Sequence, residues 1–141
     1  MKKLLTITLI LFAISNSSAT AAPNDVVSSA FMSIKTEGKN GLQKLLYPNP
    51  DVTVNKDKIK YLYDALTEYD KECGQIVDYD LLHQAQVSPK SYIGYFTLNY
   101  ENCPIYLMIG TYKTVKNGEV VTSFALNANP RFVLPDSLLG K

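Results

Sequence analysis

The chain has 141 residues, 46% of them hydrophobic and 19% charged, with fourteen Lys and Arg against thirteen Asp and Glu. This composition fits one globular domain with a single core. It excludes an intrinsically disordered chain and the basic excess of a nucleic-acid binder, and one His with two Cys is too few for a four-ligand zinc site.

The N-terminus reads as an export signal. Lys2 and Lys3 precede an apolar run over residues 4–14, a polar stretch over 15–18 and Ala19-Thr20-Ala21. A charged start, a short apolar run and a small-x-small site make a secretory signal peptide. The run is about half the roughly 20 apolar residues that a spanning helix needs, so no stable membrane anchor is expected. Cleavage is expected after Ala21, with Ala22 as the alternative. No Cys stands at that site to carry a lipid. Removal of residues 1–21 leaves a single domain over 22–141 with a formal charge of −1. The expected location is the periplasm, with full secretion as the alternative. Export places Cys73 and Cys103 in an oxidising compartment, where they are expected to form a disulfide rather than a redox pair, since no C-x-x-C is present.

Asn24 is placed to cap a first helix, with Asp25 in its first turn. Val27, Phe31 and Ile34 fall on one face of it. Gly38 to Gly41 weakens the helix, and Leu42, Leu45 and Leu46 resume an apolar stripe before Pro48 and Pro50 stop it. A second helix is predicted over residues 55–70, with Ile59, Leu62, Tyr63 and Leu66 on its apolar face.

After Cys73-Gly74 the period changes to two. Strands are predicted over 75–87, 92–100, 105–115 and 119–127, separated by turns at Pro89, at residues 101–104 and at Asn117-Gly118. An apolar tail with Phe132, Val133, Leu134, Leu138 and Leu139 follows. The expected fold class is α+β: two N-terminal helices packed on a curved four-stranded antiparallel meander. In the first strand Val77, Tyr79, Leu81, Ala85 and Val87 alternate on one face; in the second, Phe96, Leu98 and Tyr100 do. With these parities Cys73 and Cys103 fall on opposite faces unless one bulge residue restores the match.

Several of these stretches together carry a resemblance. They are 42–48 (LQKLLYP), Gly74, 92–106 (YIGYFTLNYENCPIY), 110–113 (GTYK), Asn117-Gly118 and 123–127 (SFALN). The pattern resembles small exported bacterial proteins of the NTF2-like superfamily, which share the cystatin-like cone. The resemblance implies a cone with a cavity between helix and sheet. Such folds host binders, isomerases, dehydratases, secretion components and dimer modules, and fold alone does not choose among them.

Candidate sites are few. His83 is the only histidine, and by parity it shares the inward face with Leu81 and Ala85. Its pKa near neutrality suits a general base in a cavity, and Tyr79 or Tyr95 could donate a hydrogen bond there. The same three residues are the candidate ligand-binding set. The competing account is a His satisfied in the core or at an edge. Asp78 and Asp80 share a face, the non-core one, where carboxylates are ordinarily solvated.

Ten tyrosines stand out. Tyr106, Met108 and Tyr112 make the third strand apolar on its second face as well, and a strand apolar on both faces must be covered on both. That points to an interface, with a homodimer the simplest partner. No G-x-S-x-G, no G-x-G-x-x-G and a single arginine, Arg131, are present. No cofactor and no metal are implied. The leading expectation is an exported non-enzymatic binding module for a small ligand or an exported protein partner. The alternatives are a small cavity enzyme using His83 as base, and an inhibitor or immunity protein.

Overall fold

A computed structural model describes residues 22–37, 56–116 and 118–140. The export signal over 1–21, the Gly38–Gly41 break, the Leu42–Leu46 stripe and the Pro48/Pro50 stop lie outside the described residues. Among the described residues the chain is α+β, with two helices and one four-stranded antiparallel sheet. Helix α1 spans Ala22–Glu37 and α2 spans Lys56–Cys73. Strands β1 (Ile76–Ser88), β2 (Ser91–Tyr100), β3 (Pro104–Lys113) and β4 (Glu119–Asn127) follow as a meander in the order β1-β2-β3-β4. The apolar tail forms two single 3₁₀ turns, Pro130–Phe132 and Asp136–Leu138.

Alternation decides which side of the sheet the helices cover. Phe96, Leu98 and Tyr100 on β2 and Ile105, Leu107 and Ile109 on β3 are all buried. Antiparallel pairing aligns them in rows: Tyr79–Leu98–Ile105, then Leu81–Phe96–Leu107–Leu126, then Gly94–Ile109–Phe124. Val27 and Ala30 of α1 and Leu62 and Leu66 of α2 join these residues in one core. The i, i+3 and i, i+4 spacings are what place each pair on a single helical face.

Helix α1 starts hard against the sheet. Pro23 is fully buried, and a Cβ placed on Gly94 would stand 2.7 Å from both Pro23 Cβ and the Phe96 ring. Only a residue without a side chain lets the helix start approach β2 so closely.

The two cysteines form a disulfide, with their Cα atoms 5.4 Å apart and 30 residues between them in sequence. Cys73 ends α2, and Gly74 follows with φ +85, the left-handed conformation that favours glycine after a helix. The bridge therefore ties the end of α2 to the β2–β3 turn. Backbone bonds reinforce it: Asn102 N–H donates to the Cys73 carbonyl and Glu101 N–H to the Gln75 carbonyl, both at 3.0 Å. Cys73 ends the helix and Cys103 lies in the β2–β3 turn, so strand alternation does not govern the pair; β1 also carries an extra residue, Val77, between Ile76 and Asp78. A closed loop of this length contributes about 3.5 kcal/mol in the chain-entropy model.

Two consequences are measurable. Gly94→Ala forces a methyl into the Pro23–Phe96 contact and is expected to cost about 1–3 kcal/mol in urea unfolding, as overpacking does. The Tyr100 hydroxyl is held well above its ordinary value of 10.0, by burial first and then by the charges of Asp70 and Tyr69. The neutral phenol is thus favoured in the folded state, so stability is full below the unfolded pKa and falls as pH rises above about 10. Tyr100→Phe should flatten that alkaline loss in unfolding experiments between pH 9 and 11; an unchanged slope would contradict the assignment.

Candidate functional site

The side of the sheet opposite the core carries the candidate residues. Odd positions of β2 and even positions of β3 point there, because successive strand residues alternate faces. Residues paired directly across an antiparallel ladder share a face, which extends the surface to the edge strands. The central row reads His83–Tyr95–Met108–Ala125. One row on the acidic side reads Asp80–Thr97–Tyr106–Asn127, and one row on the other side reads Ala85–Ile93–Gly110–Ser123. Tyr112, paired with Val120, continues the surface and is 40% exposed. Tyr95, Tyr106, Met108, Ile93 and Ala125 are half-buried, and Thr97 and Val120 on the same face are buried.

The inward placement of His83 is corrected by this register. The ladder runs Leu81↔Phe96 and then His83↔Tyr95, so β1 spends two residues where β2 spends one. Leu82 is the extra residue, and it reverses the parity from His83 to Gln86, up to a further shift before Ser88. His83 and Ala85 therefore lie on the outer face, beside Tyr95 and Ile93. His83 is exposed.

Tyr79 is separated from them by the sheet. It stays on the core side, where its ring sits 5.0 Å from Phe31 edge-on and 6.3 Å from Phe96. His83, Tyr79 and Tyr95 thus do not converge on one space. At β1 and β2 the helix-facing side is occupied by the Phe31–Tyr79–Phe96 ring cluster. Aromatic pairs in such edge-on geometry stabilise by about 0.5–1.5 kcal/mol beyond their burial.

Asp78 and Asp80 lie outward, as their spacing predicts. The Asn99 side-chain amide donates to Asp78 Oδ1 and to Asp80 Oδ2, both at 2.7 Å. Both amide hydrogens are used, so the two carboxylates are clamped on either side of Asn99 and do not face a cleft. A broad, open depression also runs along α1, lined by Asp25, Ser28, Ser29, Met32, Ser33 and Thr36. Among the described residues its polar lining is the Asp25 carboxylate and the hydroxyls of Ser28, Ser29, Ser33 and Thr36.

Ile93, Thr97 and Ala125 were not singled out as candidates from the sequence. The signal was present in β2, where the odd positions Ile93, Tyr95 and Thr97 are as apolar as the even ones. No helix among the described residues is long and apolar enough to cross a membrane. Compared with protein-family models, curated proteins and solved structures, the chain has no match.

The extra residue in β1 makes a specific prediction. Deleting Leu82 restores regular alternation from Asp78 to Gln86 while leaving every other β1 residue on its present face, so the fold should survive with a loss below about 1–2 kcal/mol. Deleting Asp80, inside the regular ladder, moves Tyr79 or Leu81 off the core side and should cost about 2–5 kcal/mol. Urea unfolding of the two deletions checks this ordering. Equal losses would contradict the register.

Proposed function

We propose that this chain is an exported binding module that engages a protein through the outer face of its sheet, with a second copy of itself as the first partner. The observation that carries this reading is the outer row His83–Tyr95–Met108–Ala125, flanked by Tyr106, Ile93 and Tyr112. Aromatic residues and Met are the side chains enriched at interface centres, and charged residues are depleted there. In this surface the charge lies at one rim, in Asp78 and Asp80, and the centre has none apart from the titratable His83.

Export is supported by the pattern of residues 1–21 and by the intramolecular disulfide, which suits an oxidising compartment. Membership of the NTF2-like, cystatin-like group rests on the quoted sequence stretches, and the described helices and antiparallel sheet carry the α+β class alone. A periplasmic location is part of the same proposal. The cavity-enzyme alternative is weakened by the sheet that stands between Tyr79 and His83. A small ligand bound by His83 and Tyr95 would have to sit on the outer face. An inhibitor or immunity role uses the same surface with a different protein.

The test is the oligomeric state by native mass spectrometry and light scattering. The wild-type chain should be a dimer. Met108→Asp or Tyr106→Asp should weaken it by roughly a hundredfold, since an unpaired carboxylate buried at the centre costs about 3 kcal/mol. Circular dichroism should show the fold retained. A monomeric wild-type chain contradicts the dimer, and a stoichiometric complex with another exported protein that is lost in the same variants moves the proposal to that partner.

A further inference from the structure

The two hairpins at one end of the sheet carry a charge pattern that the outer face does not explain. In an antiparallel meander the β1–β2 and β3–β4 turns lie at the same end. Here Ser88 pairs with Ser91, Ser91 with Tyr112, and Lys113 with Glu119, which brings both turns together. The Lys113 N–H donates to the Lys90 carbonyl at 2.8 Å and joins the two tips directly. Each turn is also held from within: Lys90 N–H donates to Ser88 Oγ, and the Thr114 N–H and hydroxyl both donate to the Gly118 carbonyl.

These tips present three lysines, Lys90, Lys113 and Lys116, all exposed. Among the described residues none of the three is in an ion pair. Their acidic neighbour in the hairpins is Glu119, which is half-buried and accepts a hydrogen bond from the Thr111 hydroxyl at 2.6 Å. Beside the lysines stand two aliphatic side chains in water, Val87 at 63% exposure and Val115 at 90%. The opposite end of the sheet is acidic and internally engaged. Asp78 and Asp80 share Asn99, and Glu101 Oε2 accepts from the Gln75 N–H. A domain with a formal charge of −1 over residues 22–141 thus places three exposed lysines against one half-buried glutamate at one end of the sheet.

We propose that this hairpin end docks reversibly on an anionic lipid surface, with Val87 and Val115 entering the interfacial region and Lys90, Lys113 and Lys116 at headgroup level. Hairpin tips bearing exposed aliphatic side chains fit a deformable lipid interface. Lysine stems lie along the apolar boundary while their ammonium groups stay with the phosphates. Three lysines at about a fivefold gain each give about a hundredfold preference for an anionic over a neutral surface. That is peripheral binding and needs no spanning segment.

The experiment is sedimentation of the protein, as recovered from expressing cells, with vesicles of phosphatidylcholine and phosphatidylglycerol in equal parts and with pure phosphatidylcholine vesicles. All variants keep the same N-terminus, so any contribution of residues 4–14 is common to every arm. Wild type should partition to the anionic vesicles about a hundredfold better, and 0.5 M salt should remove most of that difference because the Debye length then falls to a few ångströms. The triple variant Lys90→Gln/Lys113→Gln/Lys116→Gln should lose the preference. Val87→Ser/Val115→Ser should lower partitioning about tenfold and keep the salt sensitivity. Lys71→Gln, exposed two residues before the disulfide at the opposite end of the sheet, should change nothing. All substituted side chains are exposed, so melting temperatures should stay within a few degrees of wild type. Equal binding to neutral vesicles, no binding to either, or an unaffected triple variant overturns the proposal. So does binding of soluble heparin by the same lysines without vesicle binding, which would assign the tips to an acidic macromolecule.

Discussion

One extra residue in β1 governs what each side of this sheet can do. Between Leu81 and His83 the strand advances two residues while β2 advances one. From Asp78 to Leu81 the odd positions of β1 face the helices, and Tyr79 packs between Phe31 and Phe96. From His83 to Ala85 the odd positions face away, and His83 stands beside Tyr95. A strand of thirteen residues with strict alternation would have driven an imidazole into the apolar interior. The bulge gives the core its aromatic cluster and gives the outer surface its titratable group. Bulges also twist and bend the strand that carries them, which suits a long edge strand that must not pair with other chains.

The ends of the sheet differ as much as its faces. At one end the Cys73–Cys103 bridge, the Gly74 turn and the Glu101–Gln75 bonds fasten α2 to the β2–β3 turn. That end carries Asp78, Asp80 and Glu101, whose carboxylates accept hydrogen bonds from within the chain. At the other end two hairpin tips are joined by backbone, and their lysines are left to solvent. The covalent tie at one end leaves the other free to be a contact surface. The α1 start, fixed by Pro23 against Gly94, closes the core from the helix side.

Much of this was legible in the residues. Period-two runs located all four strands to within one or two positions, and β4 matched at both ends. Export and the lack of C-x-x-C predicted the disulfide, and alternation in β3 placed Tyr106, Met108 and Tyr112 outward. The face of His83 was not legible. Leu81 and Leu82 are both apolar, so nothing in that pair marks which one leaves the ladder. The bulge needs no glycine here, and no residue in β1 has a positive φ to announce it. The length of α2 was also underread: residues 71–73 continue the helix because Cys73 is held by the bridge and Gly74, not Asp70, supplies the turn. The role of Gly94 appears only once Pro23 is brought beside it, a contact seventy-one residues apart in sequence.

The placement of His83 is the point on which the outer-face account turns, and a nuclear Overhauser spectrum of the labelled protein reads it directly. Side chains directly opposite in an antiparallel pair lie on the order of 5 Å apart. The His83 ring protons should therefore give cross-peaks to the Tyr95 side chain and none to Phe96 or Phe31. Cross-peaks from His83 to the Phe96 or Phe31 rings would return the imidazole to the interior, and the division of the sheet into an aromatic core face and a binding face would be wrong.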